Sequence, residues 1–176
     1  MTDYKLLSAQ IAALGQQEGW YVPLLANASA AVWQALPDIN WAGFYVMRDG
    51  QLVLGPFQGK VACLHIQPPR GVCGTAAAED RTVVVPDVHA FPGHIACDSA
   101  SRSEIVVPIH HDGAVAAVLD IDSPLPGRFT AEDKAGLEQV VREIEKVVVF
   151  WHRHNHEKRR REASFLQDGA VWGGAG

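Results

Sequence analysis

The chain is predicted to fold as an α+β domain built on a mainly antiparallel sheet, and three features of the sequence say so. Two pairs of apolar, β-rich runs are joined by short turns, Arg48-Asp49-Gly50 and His111-Asp112-Gly113, which are hairpin signals. Segments with a helical apolar period precede the first pair and follow the second. The 176 residues, 48% apolar and 20% charged, suffice for one hydrophobic core and lack the signature of a disordered chain.

Taken in order, residues 3–14 and 21–36 read as helices. In the second, Leu24, Leu25, Ala28, Ala31, Val32 and Ala35 recur at helical spacing, and Pro23 suits a first turn. Ile39 to Met47 mixes aromatic and β-branched residues and turns into QLVLGPF. A strand at Ala62 to Ile66, a short helix at Gly71 to Glu79, a strand at Thr82 to Val85 and a loop from Pro86 to Ser103 follow. EIVVPI and AVAAVLDID form the second hairpin. The chain then enters a long helix whose Thr130 and Asp133 stand like the ends of a capping box. Leu137, Val140, Val141, Ile144, Val147, Val148 and Trp151 make one stripe, so this helix is expected to lie against the sheet or a partner helix. Residues 1–151 are read as a single domain and 152–176 as a basic extension, partly helical or disordered.

Charge and hydropathy exclude several classes. Residues 1–151 carry 10 Lys and Arg against 17 Asp and Glu, whereas the last 25 residues sum to +2. An acidic body with one short basic run does not make a nucleic-acid groove. No apolar run reaches the roughly 18 residues of a membrane span, and MTDYKLLSAQ lacks the layout of a signal peptide, so a cytoplasmic protein is expected. Three cysteines in such a chain argue against a disulfide framework and leave burial, metal binding or thiol chemistry.

Chemistry-bearing residues fall into three groups. Asp120 and Asp122 are two apart in an apolar strand, so both side chains leave one face, and if that face lines a pocket at least one pKa should rise. The plain alternative has Asp122 capping the Ser123-Pro124 turn and Asp120 pointing to water. Cys97, in the loop segment His94-Ile95-Ala96-Cys97-Asp98, is the leading nucleophile. Cys73 is its rival, because the start of a helix favours a thiolate. A metal is not expected: His94 and Cys97 have ligand-like spacing, but Cys63 and Cys73 stand too far apart for a knuckle, and His152, His154 and His156 do not share a helix face.

The strings DINWAGFYV, LVLGPFQGKVAC, RGVCGTA, DVHAFPGHIACDSASRSEIVVPI and AVLDIDSPLPGRF resemble the free methionine-(R)-sulfoxide reductases, stand-alone members of the GAF fold, from about residue 20 to about residue 150. The resemblance implies a GAF-type antiparallel sheet of about six strands flanked by helices, in a homodimer. It implies Cys97 as nucleophile, Cys63 as the recycling thiol, Cys73 as a third cysteine of secondary role, and no cofactor. It also implies Glu104 and Asp122 as acids, Asp120 as the group for the substrate ammonium, and Trp41 and Tyr45 as the wall around the substrate methyl. Backbone amides near Ala96 and Cys97 are expected to take the substrate carboxylate, and thioredoxin is the expected reductant. The basic tail and Pro68-Pro69 depart from the family's pattern. Two other readings stand beside this one: a non-catalytic GAF module that binds a small ligand, and a redox sensor whose signal is a Cys63–Cys97 disulfide.

Overall fold

The computed structural model describes residues 2–93 and 99–150. Within them the chain runs α1 (Tyr4–Gln17), α2 (Tyr21–Ala35), β1 (Trp41–Arg48), β2 (Gln51–Gly59), β3 (His65–Ile66), α3 (Gly71–Glu79), β4 (Val83–Val85), β5 (Ser103–His111), β6 (Ala114–Ser123) and α4 (Ala131–Val147). The six strands form one sheet in the order β3-β2-β1-β6-β5-β4, with every neighbouring pair antiparallel. Both hairpins close as two-residue turns. Asp49 and Gly50 in one, Asp112 and Gly113 in the other, all have positive φ, the backbone that Asp-Gly provides at least cost.

Strand alternation sorts the core into two halves. Ala42, Phe44 and Val46 of β1, Ile105, Val107 and Ile109 of β5, and Ala117, Leu119 and Ile121 of β6 belong to one buried cluster, shared with α1, α2 and α4. The opposite face holds a second cluster with Trp41, Tyr45, Val106 and Val118, and α3 covers it through Val72, Cys73 and Ala76. The capping box of α4 forms as the sequence predicts: Thr130 Oγ1 accepts from the Asp133 N–H, and Asp133 Oδ2 accepts from the Thr130 N–H at 2.8 Å. The same carboxylate accepts from Arg128 Nη1 and from the Tyr4 hydroxyl, so it fastens α1 to α4.

Two expectations need correction. The strand expected over Ala62–Ile66 is only His65–Ile66, because the carbonyls of Lys60 and Cys63 accept from the Trp41 indole and the Tyr45 hydroxyl. The stripe expected to continue helically through Val148 stops at Val147. Val148 is extended, the Val149 N–H donates to Gly19 O, and Val149 O accepts from Tyr21 N–H. A run of three valines favours this extended exit over another helical turn. Trp151 and the expected 152–176 extension lie outside the described residues. No helix among the described residues is long and apolar enough to cross a membrane.

Candidate active site

The sheet face under α3 gathers the described residues singled out from the sequence. Trp41 and Tyr45 reach it from β1, Glu104 from the start of β5, and Asp120 and Asp122 from β6. In the ladder Asp122 lies between Trp41 and Glu104, and Asp120 lies between Gly43 and Val106. The three acids are therefore neighbours by register, although Glu104 is far from the other two in sequence. Above them α3 sets the Cys73 sulfur 3.9 Å from Glu104 Oε1, and one ligand atom each of Cys73, Glu104 and Asp120 lies within 4.8 Å of the others.

An aromatic wall borders the acids. Trp41 stacks on Tyr45 with centroids 5.9 Å apart and on Phe57 with centroids 5.2 Å apart. Gly43 makes the second contact possible, since a Cβ there would fall 2.3 Å from Phe57 Cβ and 2.7 Å from the Trp41 ring. Phe57 is the site residue that sequence reasoning missed. Its signal is obscured because the β1–β2 register shifts between Gly43 and Tyr45, and the shift pairs Phe57 with Gly43.

Burial sets the electrostatics. Glu104 is 6% exposed and Asp120 7%, so neither points to water. Among the described residues neither makes an ion pair. Burial, then the charges of Asp120 and Asp122, holds the Glu104 carboxyl well above the usual range. Burial pushes Asp120 up to about 6. The Asp120 Oδ1 atom is buried and accepts no hydrogen bond, which leaves an acceptor facing a site that needs a donor. Asp122 is half-buried on the same face, while the turn after Ser123 is fastened by Ser123 Oγ, which accepts from the Leu125 N–H.

The helix start does not make Cys73 a thiolate. Burial, then the charges of Asp120 and Glu104, pushes its pKa up, in the direction opposite to the pull of a helix dipole. Cys73 is a free buried thiol, whereas Cys63, half-buried in the β2–β3 connection, is disulfide-bonded. Among the described residues Cys73, Glu104 and Asp120 have the spacing to hold a metal ion. Burial raises the pKa of all three, which works against the deprotonated forms an ion would need. His94, Ala96, Cys97 and Asp98 lie outside the described residues.

The arrangement offers a buried proton donor, an unmatched acceptor for a cation, and an apolar wall. Comparisons with known proteins identify the family. The GAF domain family pattern matches residues 5–148. The free methionine-R-sulfoxide reductase of Escherichia coli is 52% identical over 145 residues, covering 82% of this chain and 88% of its own length. The solved fRMsr of Staphylococcus aureus in complex with substrate superposes with a TM-score of 0.81 at 50% identity, over 85% of this chain and 97% of that one. The free methionine-R-sulfoxide reductase of Neisseria meningitidis, also in complex with its substrate, gives 0.78 at 44% identity, over 81% and 86%. A fold match, near-complete coverage and identity of this order place the chain in the GAF family and, within it, among the free methionine-R-sulfoxide reductases.

Proposed function

We propose that the protein reduces free L-methionine-(R)-sulfoxide to L-methionine with its own thiols. The observation that carries this reading is the buried pair Glu104 and Asp120 beside the Trp41–Tyr45–Phe57 wall. A zwitterionic amino acid with an apolar methyl fits that combination. Asp120 takes the ammonium through its unpartnered oxygen, the aromatic rings enclose the methyl, and amides near Ala96 and Cys97 take the carboxylate. Peptide-bound methionine sulfoxide lacks both charges and is refused.

The Cys97 sulfur attacks the sulfoxide sulfur and gives up two electrons. The oxygen receives a proton from Glu104, with Asp122 as the second acid, and ends on Cys97 as a sulfenic acid while methionine leaves. Glu104 suits this step because burial and the neighbouring acids raise its pKa, which favours the protonated form. Cys63 then displaces the sulfenic oxygen as water and closes a disulfide with Cys97. Support comes from Cys63 being disulfide-bonded while Cys73 stays free. A dithiol, thioredoxin in this reading, restores both thiols, which requires a reducing compartment such as the cytoplasm. Thiols and acids supply every step, so the reaction calls for no cofactor. Residues 1–151 form the catalytic unit, 152–176 an extension outside it, and the working form is a homodimer.

Incubation with dithiothreitol and each free sulfoxide epimer, followed by quantification of methionine, tests the reading. Methionine is expected from the R epimer, and none from either epimer overturns it. Cys97→Ser is expected to abolish even a single turnover. Cys63→Ser is expected to give about one methionine per subunit and then stall, with a dimedone-type probe trapping the sulfenic acid at Cys97. A label at Cys73 instead makes the helix-start thiol the nucleophile.

A further inference from the structure

The aromatic wall also reaches the segment that carries Cys63. Tyr45 Oη donates to the Cys63 carbonyl at 3.1 Å, and Trp41 Nε1 donates to the Lys60 carbonyl at 3.1 Å. Both rings sit on β1, inside the sheet, and are only 2% and 3% exposed. The segment they hold, residues 60–64, is neither helix nor strand, and Val61 and Leu64 within it turn their side chains largely to solvent. Its far end is tied to β2 where the Leu54 N–H donates to Leu64 O. Two side-chain donors from a buried strand therefore grip the backbone at Cys63 itself and three residues before it.

We propose that Tyr45 and Trp41 are positioning residues for disulfide closure: their polar atoms fix the backbone that presents the Cys63 sulfur. This role rests on the thiol mechanism above and is separate from enclosing the substrate methyl. In the step concerned the Cys63 sulfur attacks the sulfenic sulfur of Cys97. The S–S bond forms, the S–O bond breaks, and the oxygen leaves as water with the Cys63 proton. Displacement at sulfur needs the attacking sulfur in line with the leaving oxygen, and an exposed segment without regular structure loses entropy each time it reaches that geometry. The two hydrogen bonds, seen here with Cys63 disulfide-bonded, meet that cost beforehand where they persist in the open form. The Tyr45 hydroxyl is a dependable donor, because burial, then the charge of Asp120, pushes its pKa up and keeps the proton on oxygen.

Tyr45→Phe keeps the ring and removes the hydroxyl; Trp41→Phe keeps an aromatic surface and removes the N–H. Pre-reduced protein is mixed with one equivalent of free methionine-(R)-sulfoxide without reductant. Methionine release and the later loss of free thiol are then followed in the same quenched-flow run. In each variant the ratio of the closure rate to the release rate is expected to fall about tenfold, matching the net worth of one buried hydrogen bond. The dimedone-reactive lifetime at Cys97 should lengthen in proportion. A ratio equal to wild type in both variants overturns the proposal. So does a slowing of release and closure by the same factor, which would confine both side chains to the substrate pocket. Failure of the underlying mechanism looks different: wild type would release no methionine, or its sulfenic acid would lie on another cysteine. Should Tyr45→Phe not fold, the ratio in Trp41→Phe decides alone.

Discussion

Leu119 and Asp120 are consecutive residues of β6, both buried, and they face opposite sides of the same sheet. Leu119 packs into the apolar cluster under α1, α2 and α4, where contact with other hydrocarbon is its contribution. Asp120 enters a space shared with Glu104, Cys73 and Tyr45, where burial works against it and its Oδ1 goes without a hydrogen bond. One face holds the fold together. The other spends part of that stability to keep acids dry and protonatable, and the period of two in a strand lets both be written into the same ten residues.

The largest expected effect tests the first half of this contrast. Leu119→Ala should cost about 2 to 5 kcal/mol in urea denaturation, since the void opens in a packed core, while the folded fraction keeps its affinity for sulfoxide. A loss below about 1 kcal/mol would mean the helical face is not what holds the sheet. Asp120→Asn should act in the reverse sense. Affinity for free methionine-(R)-sulfoxide should fall by about 2 kcal/mol or more, because a desolvated charge partner is lost. Stability at neutral pH should rise. A carboxyl whose native pKa is raised to about 6 favours folding most while protonated, and its support fades as pH climbs from about 4 through 6. Urea midpoints at about pH 5 and pH 7.5 should therefore converge in Asp120→Asn relative to wild type. A variant that binds sulfoxide as tightly as wild type moves the ammonium site elsewhere.

Asp133, on the helical side, shows a buried carboxylate treated well. Burial opposes its charge, but hydrogen bonds from Tyr4 and Thr130 and the nearby Arg128 overcome that and hold its pKa below the usual range. Its contribution is present above about pH 4 and lost as pH falls through the native value, the opposite sign to Asp120. Asp133→Ala removes the α4 cap and the link to α1 together and should cost about 2 kcal/mol at neutral pH. Activity with dithiothreitol should persist, and a loss of activity in folded Asp133→Ala would join the two faces more tightly than the geometry suggests.

Features set by local sequence were legible in advance. The Asp-Gly turns, the bounds of α3 and the Thr130/Asp133 box depend on residues within a few positions of one another. The shared face of Asp120 and Asp122 follows from strand alternation alone. What could not be read is set by distant partners. The register shift that brings Phe57 onto Trp41 depends on how β2 pairs across a bulge, and one residue of slip turns every side chain over. The brevity of β3 depends on two side chains of β1 taking its neighbours' carbonyls. The raised pKa of Cys73 could not be read either, because a helix N-terminus is visible in sequence, whereas the two acids that α3 lowers it onto come from other strands.

The smallest expected effect lies where the two faces meet. His110, beside the register irregularity of β5, has Nδ1 2.7 Å from Glu145 of α4 and Nε2 2.6 Å from Asp80, the residue that ends α3. The imidazole thus bridges the helix over the acid face to a helix over the apolar face. Both ring nitrogens meet a carboxylate oxygen, and both contacts are satisfied as donors only in the protonated ring. The hydrogen bond to Glu145 accordingly raises the His110 pKa despite some desolvation, with Asp80 adding to the rise. Since the native value exceeds the unfolded one, the bridge contributes fully below about pH 6.5 and fades as pH rises through the native value. The side chains of His110 and Asp80 are 43% and 58% exposed, so solvent screening limits the gain to about 0.5 kcal/mol. In an Asp120→Asn background, which removes one raised carboxyl, the stability difference between about pH 6 and pH 8 should be smaller by that amount in His110→Gln than with His110 present. An undiminished difference in His110→Gln would assign the remaining pH dependence to Glu104, whose carboxyl is raised in the same sense as Asp120.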